Sequence, residues 1–132
     1  MMIEDMIQPL ANYGDQRGFC FILPPQVFDF LGAVQEMHVV ELLPDAIRGN
    51  HYHQQRKEAL IVVYEDDWLF AWQDLTADVA QQQVFSGRGA VLIALQANMI
   101  HAVKNIGQRN VVAVSCSNLD VKDTVRQVLI DS

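Results

Sequence analysis

The chain has 132 residues, enough for one domain, residues 1–132, built on a single core. Hydrophobic residues make up 51% and charged residues 19%, an ordinary globular composition. Sixteen acidic side chains against nine basic ones leave a net charge of -7. This excludes a nucleic-acid partner, which needs a dense Lys/Arg face, but admits a small anionic ligand held by an arginine or two inside a cleft. The opening MMIEDMIQPL is acidic where a secretory leader needs basic residues, and no apolar run reaches the roughly 20 residues of a membrane span. A cytoplasmic protein is expected. Cys20 and Cys116 are too few and too far apart for a disulfide framework, and both are expected to be reduced and apolar in the core.

Strand signals dominate along the chain. Gly18 to Leu23 (GFCFIL) is a short apolar run closed by Pro24-Pro25. Glu36 to Leu43 (EMHVVELL) is rich in β-formers and stops at Pro44. Ala59 to Glu65 (ALIVVYE) and Trp68 to Trp72 (WLFAW) flank Asp66-Asp67, which suits a hairpin turn. Gln83 to Ser86 runs into the turn Gly87-Arg88-Gly89, followed by the strands Ala90 to Leu95 and Asn110 to Cys116, with Gly107 in the turn before the latter. Asp120 to Ile130 is ambiguous, because Val121, Val125 and Val128 suit a helix face while β-branched residues favour a strand. Short strands with regularly spaced turns predict an all-β sandwich or barrel.

Three of the four histidines stand in informative places. In an extended Arg48 to His53 segment, residues i and i+2 share a face, so His51 and His53 point one way and Tyr52 the other. Glu58 follows closely enough to converge with them. Two imidazoles and a carboxylate form a first-row transition-metal shell that still wants a third imidazole, and His101 in QANMIHAVKN is the candidate, with Asn105 after it. His38 fits no such pattern and reads as a satisfied or surface histidine.

These two pieces resemble the two motifs of the cupins. Arg48-Gly49-Asn50-His51-Tyr52-His53 with Glu58 is similar to the first motif, and His101 with Asn105 to the second. Glu65 stands where the first motif usually ends in glycine. Asn98 stands in the turn before the second histidine and is suited to the left-handed conformation that a glycine would supply. The resemblance implies a single all-β cupin domain, a double-stranded β-helix or jelly-roll barrel of antiparallel strands. It also implies that His51, His53, Glu58 and His101 hold one divalent metal, such as Zn, Ni, Fe or Mn. RGNHYH is similar to the Arg-Gly-x-His stretch of the sugar-nucleotide epimerase/isomerase branch, and, with the tail Asn118…Asp123-Thr124, more so to the cupin domain of capsular polysaccharide epimerase-reductases.

That branch implies proton abstraction next to the carbonyl of a nucleotide-linked keto-sugar in polysaccharide biosynthesis. In a metal-free site His51 is the candidate base. With metal bound, His51 becomes a ligand, and Tyr52, Tyr64 and Lys57 are unranked candidates to carry the proton. Arg48, Tyr52 and Lys57 are the candidate substrate-binding residues; Arg48 suits a diphosphate or carboxylate, or equally a salt bridge at the rim. Two other classes stay open: a non-catalytic metal- or sugar-binding module and an iron-dependent oxygenase. The resemblance further implies a homodimer, and the apolar run Phe19 to Phe30 is a candidate interface strand, although core packing explains it equally well.

Overall fold

The computed structural model describes residues 6–131; the first five residues of the acidic start lie outside them. Among the described residues the elements are β1 (Ile7–Pro9), α1 (Gln26–Leu31), β2 (Glu36–Leu42), β3 (Ile47–His53), β4 (Glu58–Tyr64), β5 (Trp68–Asp74), β6 (Gln81–Phe85), β7 (Gly89–Leu95), β8 (Met99–Asn105), β9 (Val111–Ser117) and β10 (Thr124–Arg126). They form two five-stranded antiparallel sheets, ordered β1-β7-β4-β9-β2 and β10-β3-β8-β5-β6. The chain crosses between the sheets at most connections, and β5 and β6 alone pair with a direct neighbour in sequence. This is the jelly roll that the cupin resemblance implies.

Period-two alternation builds the interior. Val62 and Tyr64 of β4, Val91, Ile93 and Leu95 of β7, and Trp68 and Phe70 of β5 meet between the sheets, where the Trp68 and Phe85 rings stack at 4.4 Å. β7 reads as an unbroken apolar run because its other face is covered too. There Leu92 and Ala94, with Ala59 and Cys116, pack beneath Val27, Phe30 and Leu31 of α1. No helix among the described residues is long and apolar enough to cross a membrane.

Four expectations change. Gly18 to Leu23 is not a strand; residues 11–23 make an excursion held by the isolated bridges Asn12↔Phe21 and Asp15↔Gly18. The run Phe19 to Phe30 is likewise no strand: it enters α1, where Val27 and Phe30 pack into the core. Asp66-Asp67 does not close a hairpin. β4 pairs with β7 and β9 while β5 pairs with β6 and β8, so residues 65–67 carry the chain from one sheet to the other. Cys20 is exposed, because its segment lies on the surface, whereas Cys116 is buried; both are free thiols. The ambiguous Asp120 to Ile130 holds the short strand β10 and no helix. Asn98 adopts the expected left-handed conformation, with φ 65°.

Candidate functional site

A β-bulge in β3 aims the site. Gly49 pairs with Ala102 and His51 pairs with His101, so Asn50 is an extra residue in the ladder. Gly49 has φ 88° and Asn50 φ 56°. Without the bulge, strict alternation would turn Arg48 away from His51; with it, Arg48, His51 and His53 all line one cavity between the sheets. The chain needs glycine here, since a Cβ on Gly49 would lie 2.8 Å from the His101 carbonyl oxygen. Asn50 fits the extra position because its side chain is put to use. Its Oδ1 accepts the Leu129 and Ile130 N–H groups and its Nδ2 donates to the Ile130 carbonyl, which ties down the C-terminal tail.

His51, His53 and His101 converge. One nitrogen of each lies within 4.8 Å of the others, and the ring centroids are 4.8 to 5.7 Å apart. Glu58, at the start of β4 on the facing sheet, brings Oε1 to 3.3 Å from His101 Nε2 and 3.6 Å from His53 Nε2. All but His51 are buried.

Their hydrogen bonds decide what faces what. His101 Nδ1 lies 2.9 Å from the Met99 carbonyl, which only accepts, so Nδ1 carries the proton and Nε2 a lone pair. His53 Nδ1 lies 3.0 Å from Thr124 Oγ1, a hydroxyl that already accepts from Arg56, and 3.6 Å from the Asp123 carboxylate. Because the Asp123 carboxylate only accepts, it favours the proton on Nδ1, which leaves Nε2 bare. The Ser115 hydroxyl donates to Glu58 Oε2. Buried lone pairs on two imidazoles and a carboxylate oxygen therefore face one another, and neither His53 Nε2 nor Glu58 Oε1 has a hydrogen-bond partner. Such a cluster is costly unless a cation or proton stands between its members.

The electrostatics agree. Burial, then the neighbouring His101 and His53 imidazoles, lower His51 to about 4, so it is neutral at pH 7 and its lone pair is open. Because its folded value lies below the ordinary 6.5, this contribution to stability is present above that value and is lost as pH falls towards 4. Burial pushes Glu58 up, but a proton on the His101 or His53 nitrogen facing it, standing where a cation would, outweighs burial together with the Ser115 hydroxyl and holds the carboxyl well below its usual range. Three imidazoles and one carboxylate suit a divalent first-row ion.

The cavity measures about 300 Å³. Val40, Leu42, Leu60, Val62, Val103 and Val111 give it apolar walls, and Arg48, Arg56, Lys104 and His38 place polar groups on it. The structure does not bring Tyr52 and Lys57 there. Tyr52 lies on the other side of β3, opposite Val125 of β10, and Lys57 Nζ donates to the Phe30 carbonyl and lies over the Phe30 ring. Tyr64 is packed in the core against Trp68 and Phe85. Asn105, fully buried, is a turn organiser: its Nδ2 donates to the Leu42 and Arg109 carbonyls and its Oδ1 accepts from Gly107 N–H.

Residues 27–123 match the family of the polysaccharide biosynthesis C-terminal domain. The chain belongs to this family. No curated protein matches it in sequence. Among solved structures, the capsular polysaccharide assembling protein CapF from Staphylococcus aureus is similar at 20% identity and TM-score 0.64, over 92% of this chain and 33% of CapF. The chain thus spans about a third of that protein. The epimerase RmlC from Legionella pneumophila, solved with dTDP-4-keto-L-rhamnose, is similar at 16% identity and TM-score 0.71, over 91% of this chain and 70% of RmlC. A variant of the 3,4-ketoisomerase QdtA from Thermoanaerobacterium thermosaccharolyticum, solved with TDP-4-keto-6-deoxyglucose, is similar at 12% identity and TM-score 0.70, over 96% of this chain and 90% of QdtA. At these identities the likeness is one of fold, and that fold is cupin-like.

In this polysaccharide biosynthesis domain the residues that escaped the sequence reading are mostly those that support the histidine cluster. Asp123 Oδ2 accepts the Gln55 and Arg56 N–H groups, and its Oδ1 lies 3.0 Å from Arg56 Nε. Burial pushes the Asp123 carboxyl up, but those backbone donors and the Arg56 charge outweigh it and hold it low. Its contribution to stability is present above the ordinary value of 3.8 and is lost as pH falls through the lowered one. The spacing Asn118…Asp123-Thr124 was the one available signal for it. Asp123→Ala is expected to cost about 2 kcal/mol, since the Gln55 and Arg56 N–H groups lose their buried acceptor. It should also weaken metal binding about 10- to 100-fold, through the His53 it backs. Denaturant melts and competition with a chelator measure the two effects.

Proposed function

We propose that this chain is an epimerase or isomerase of a nucleotide-linked keto-sugar in polysaccharide biosynthesis, working with a divalent ion held by His51, His53, Glu58 and His101. The observation that carries this reading is the set of bare buried donors on the wall of a cavity of about 300 Å³ that is also lined by Arg48, Arg56 and Lys104. A cavity of that size suits a hexose ring. The cations suit the diphosphate of the nucleotide, and they stand out in a chain of net charge -7. The family and the keto-sugar ligands of RmlC and QdtA support the same substrate class.

The donor set fits the ion on chemical grounds, because Nε2 of His53 and Oε1 of Glu58 otherwise remain buried without partners. A divalent ion there supplies positive charge beside an oxygen that turns anionic as the neighbouring carbon loses its proton. The remaining work falls to the chain. The apolar walls exclude water, Arg48 and Arg56 orient the substrate, and Asp123 and Thr124 hold His53 in place. An imidazole on the ion has no lone pair left for a proton, so His51 is the base only in a metal-free protein. The expected homodimer has a candidate surface in the edge strand β2, whose outer face exposes Met37 and Val39.

The test is solvent deuterium entering the carbon next to the carbonyl of TDP-4-keto-6-deoxyglucose and of its UDP counterpart, followed by NMR and mass spectrometry. Exchange that a chelator abolishes is the expected result. Tight binding of the sugar nucleotide without exchange would instead make the chain a binding module.

A further inference from the structure

With His51, His53 and His101 committed to the ion, the reaction still needs a base, and β2 carries one. Glu36 and His38 stand two apart on this strand, so they share a face. His38 Nδ1 lies 2.7 Å from Glu36 Oε1. With Nδ1–H donating to that carboxylate, Nε2 is the acceptor. His38 lines the cavity and also the adjoining groove bounded by Glu36, Arg56, Asp120, Lys122 and Thr124, so it stands where the two meet. Glu36 Oε2 is buried without a partner. Of the other polar groups on the cavity wall, Ser115 donates to Glu58, Thr124 serves His53 and Arg56, and the arginines stay protonated. Among the described residues, His38 is the one imidazole on the cavity outside the ligand set.

We propose that His38, oriented by Glu36, is the general base that removes the proton next to the sugar carbonyl; this rests on the function proposed above. The C–H bond breaks and its proton moves to His38 Nε2. The electron pair stays in the enolate, with its charge on the former carbonyl oxygen. Return of a proton to carbon restores the keto-sugar and frees Nε2, so no oxidant or reductant is needed. Glu36 is a positioning residue that fixes the tautomer and the orientation of the ring. The charged groups around the pair are Arg56 from the β3–β4 connection and Asp120 and Lys122 from the segment before β10, with Glu58 beyond Ser115 on the same sheet.

The experiment is deuterium exchange with the same two sugar nucleotides on metal-loaded wild type, His38→Ala and Glu36→Gln. His38→Ala is expected to lower kcat by 100-fold or more, within the usual range for a general base, with KM and metal content unchanged and partial rescue by added imidazole. Glu36→Gln is expected to lower kcat about tenfold with KM and metal content unchanged, because a neutral amide holds the His38 Nδ1–H less firmly than the carboxylate does. Wild type that exchanges neither sugar overturns the function proposed above and this assignment with it. Exchange in wild type that His38→Ala leaves intact overturns the assignment alone. So does a change confined to KM, which makes His38 a binding residue, or a parallel loss of metal, which makes it a structural one.

Discussion

Replacing His101 by alanine is expected to weaken binding of a divalent ion more than 100-fold and to abolish keto-sugar exchange. His101 is 4% exposed, its ring is fixed by the bond from Nδ1 to the Met99 carbonyl, and its Nε2 lies 3.3 Å from Glu58 Oε1. Removing an outer partner of a ligand costs about 10- to 100-fold in affinity, so removing the ligand itself costs more. The change also leaves the Glu58 carboxylate facing a void. Titration with Zn²⁺ against a competing chelator measures the affinity, and deuterium exchange measures the activity. Retained nanomolar binding would show that His101 is not a ligand. Protons compete with the ion at His51 only near pH 4, so lowering the pH from 7 to 6 is not expected to strip the ion through that residue.

Gly49→Ala is the most damaging small change predicted for the fold. The position has φ 88°, a conformation that costs a residue with a Cβ about 1–2 kcal/mol. Here the new Cβ would also lie 2.8 Å from the His101 carbonyl oxygen and 3.1 Å from Ala102 Cα, both backbone atoms of β8. The strands must part where His51 pairs with His101. A loss of about 3 kcal/mol is expected, roughly 10 °C in Tm for a chain of this size, with metal affinity falling as well. Gly87→Ala is the control: its φ is 80° and nothing lies within 4 Å of the position its new Cβ would take, so it carries the strain alone and should cost about 1 kcal/mol. Equal melting temperatures for the two variants would show that the bulge tolerates a side chain.

The strands were readable in the sequence because alternation and apolar runs report burial directly. The sheet to which each strand belongs was not. Asp66-Asp67 has the chemistry of a hairpin turn, yet the three residues 65–67 cross between sheets, and local composition does not distinguish the two. The apolar run GFCFIL suggested a strand, but nothing in it said that its partners would be two isolated bridges on the surface. At the site, His51 and His53 were visible through their spacing, and Glu58 and His101 through the cupin resemblance. The orientation of Arg48 was not, because it depends on the bulge at Gly49 and Asn50, which only the pairing with β8 reveals. His38 was seen as a satisfied or surface histidine, and it is both, being half exposed and bonded to Glu36. Its place on the cavity depends on strands distant in sequence, so no local pattern could mark it. Tyr52 and Lys57 show the converse: they flank the ligands in sequence and face elsewhere in space.

The central claim is that the bare donors of His51, His53, Glu58 and His101 hold a divalent ion. Elemental analysis of the protein, purified without a histidine tag, tests it most directly. Close to one equivalent of Zn, Ni, Fe or Mn per chain, released by chelation and restored by reloading, is the predicted result. Protein that carries none, and takes up none after exposure to each of the four, would contradict it.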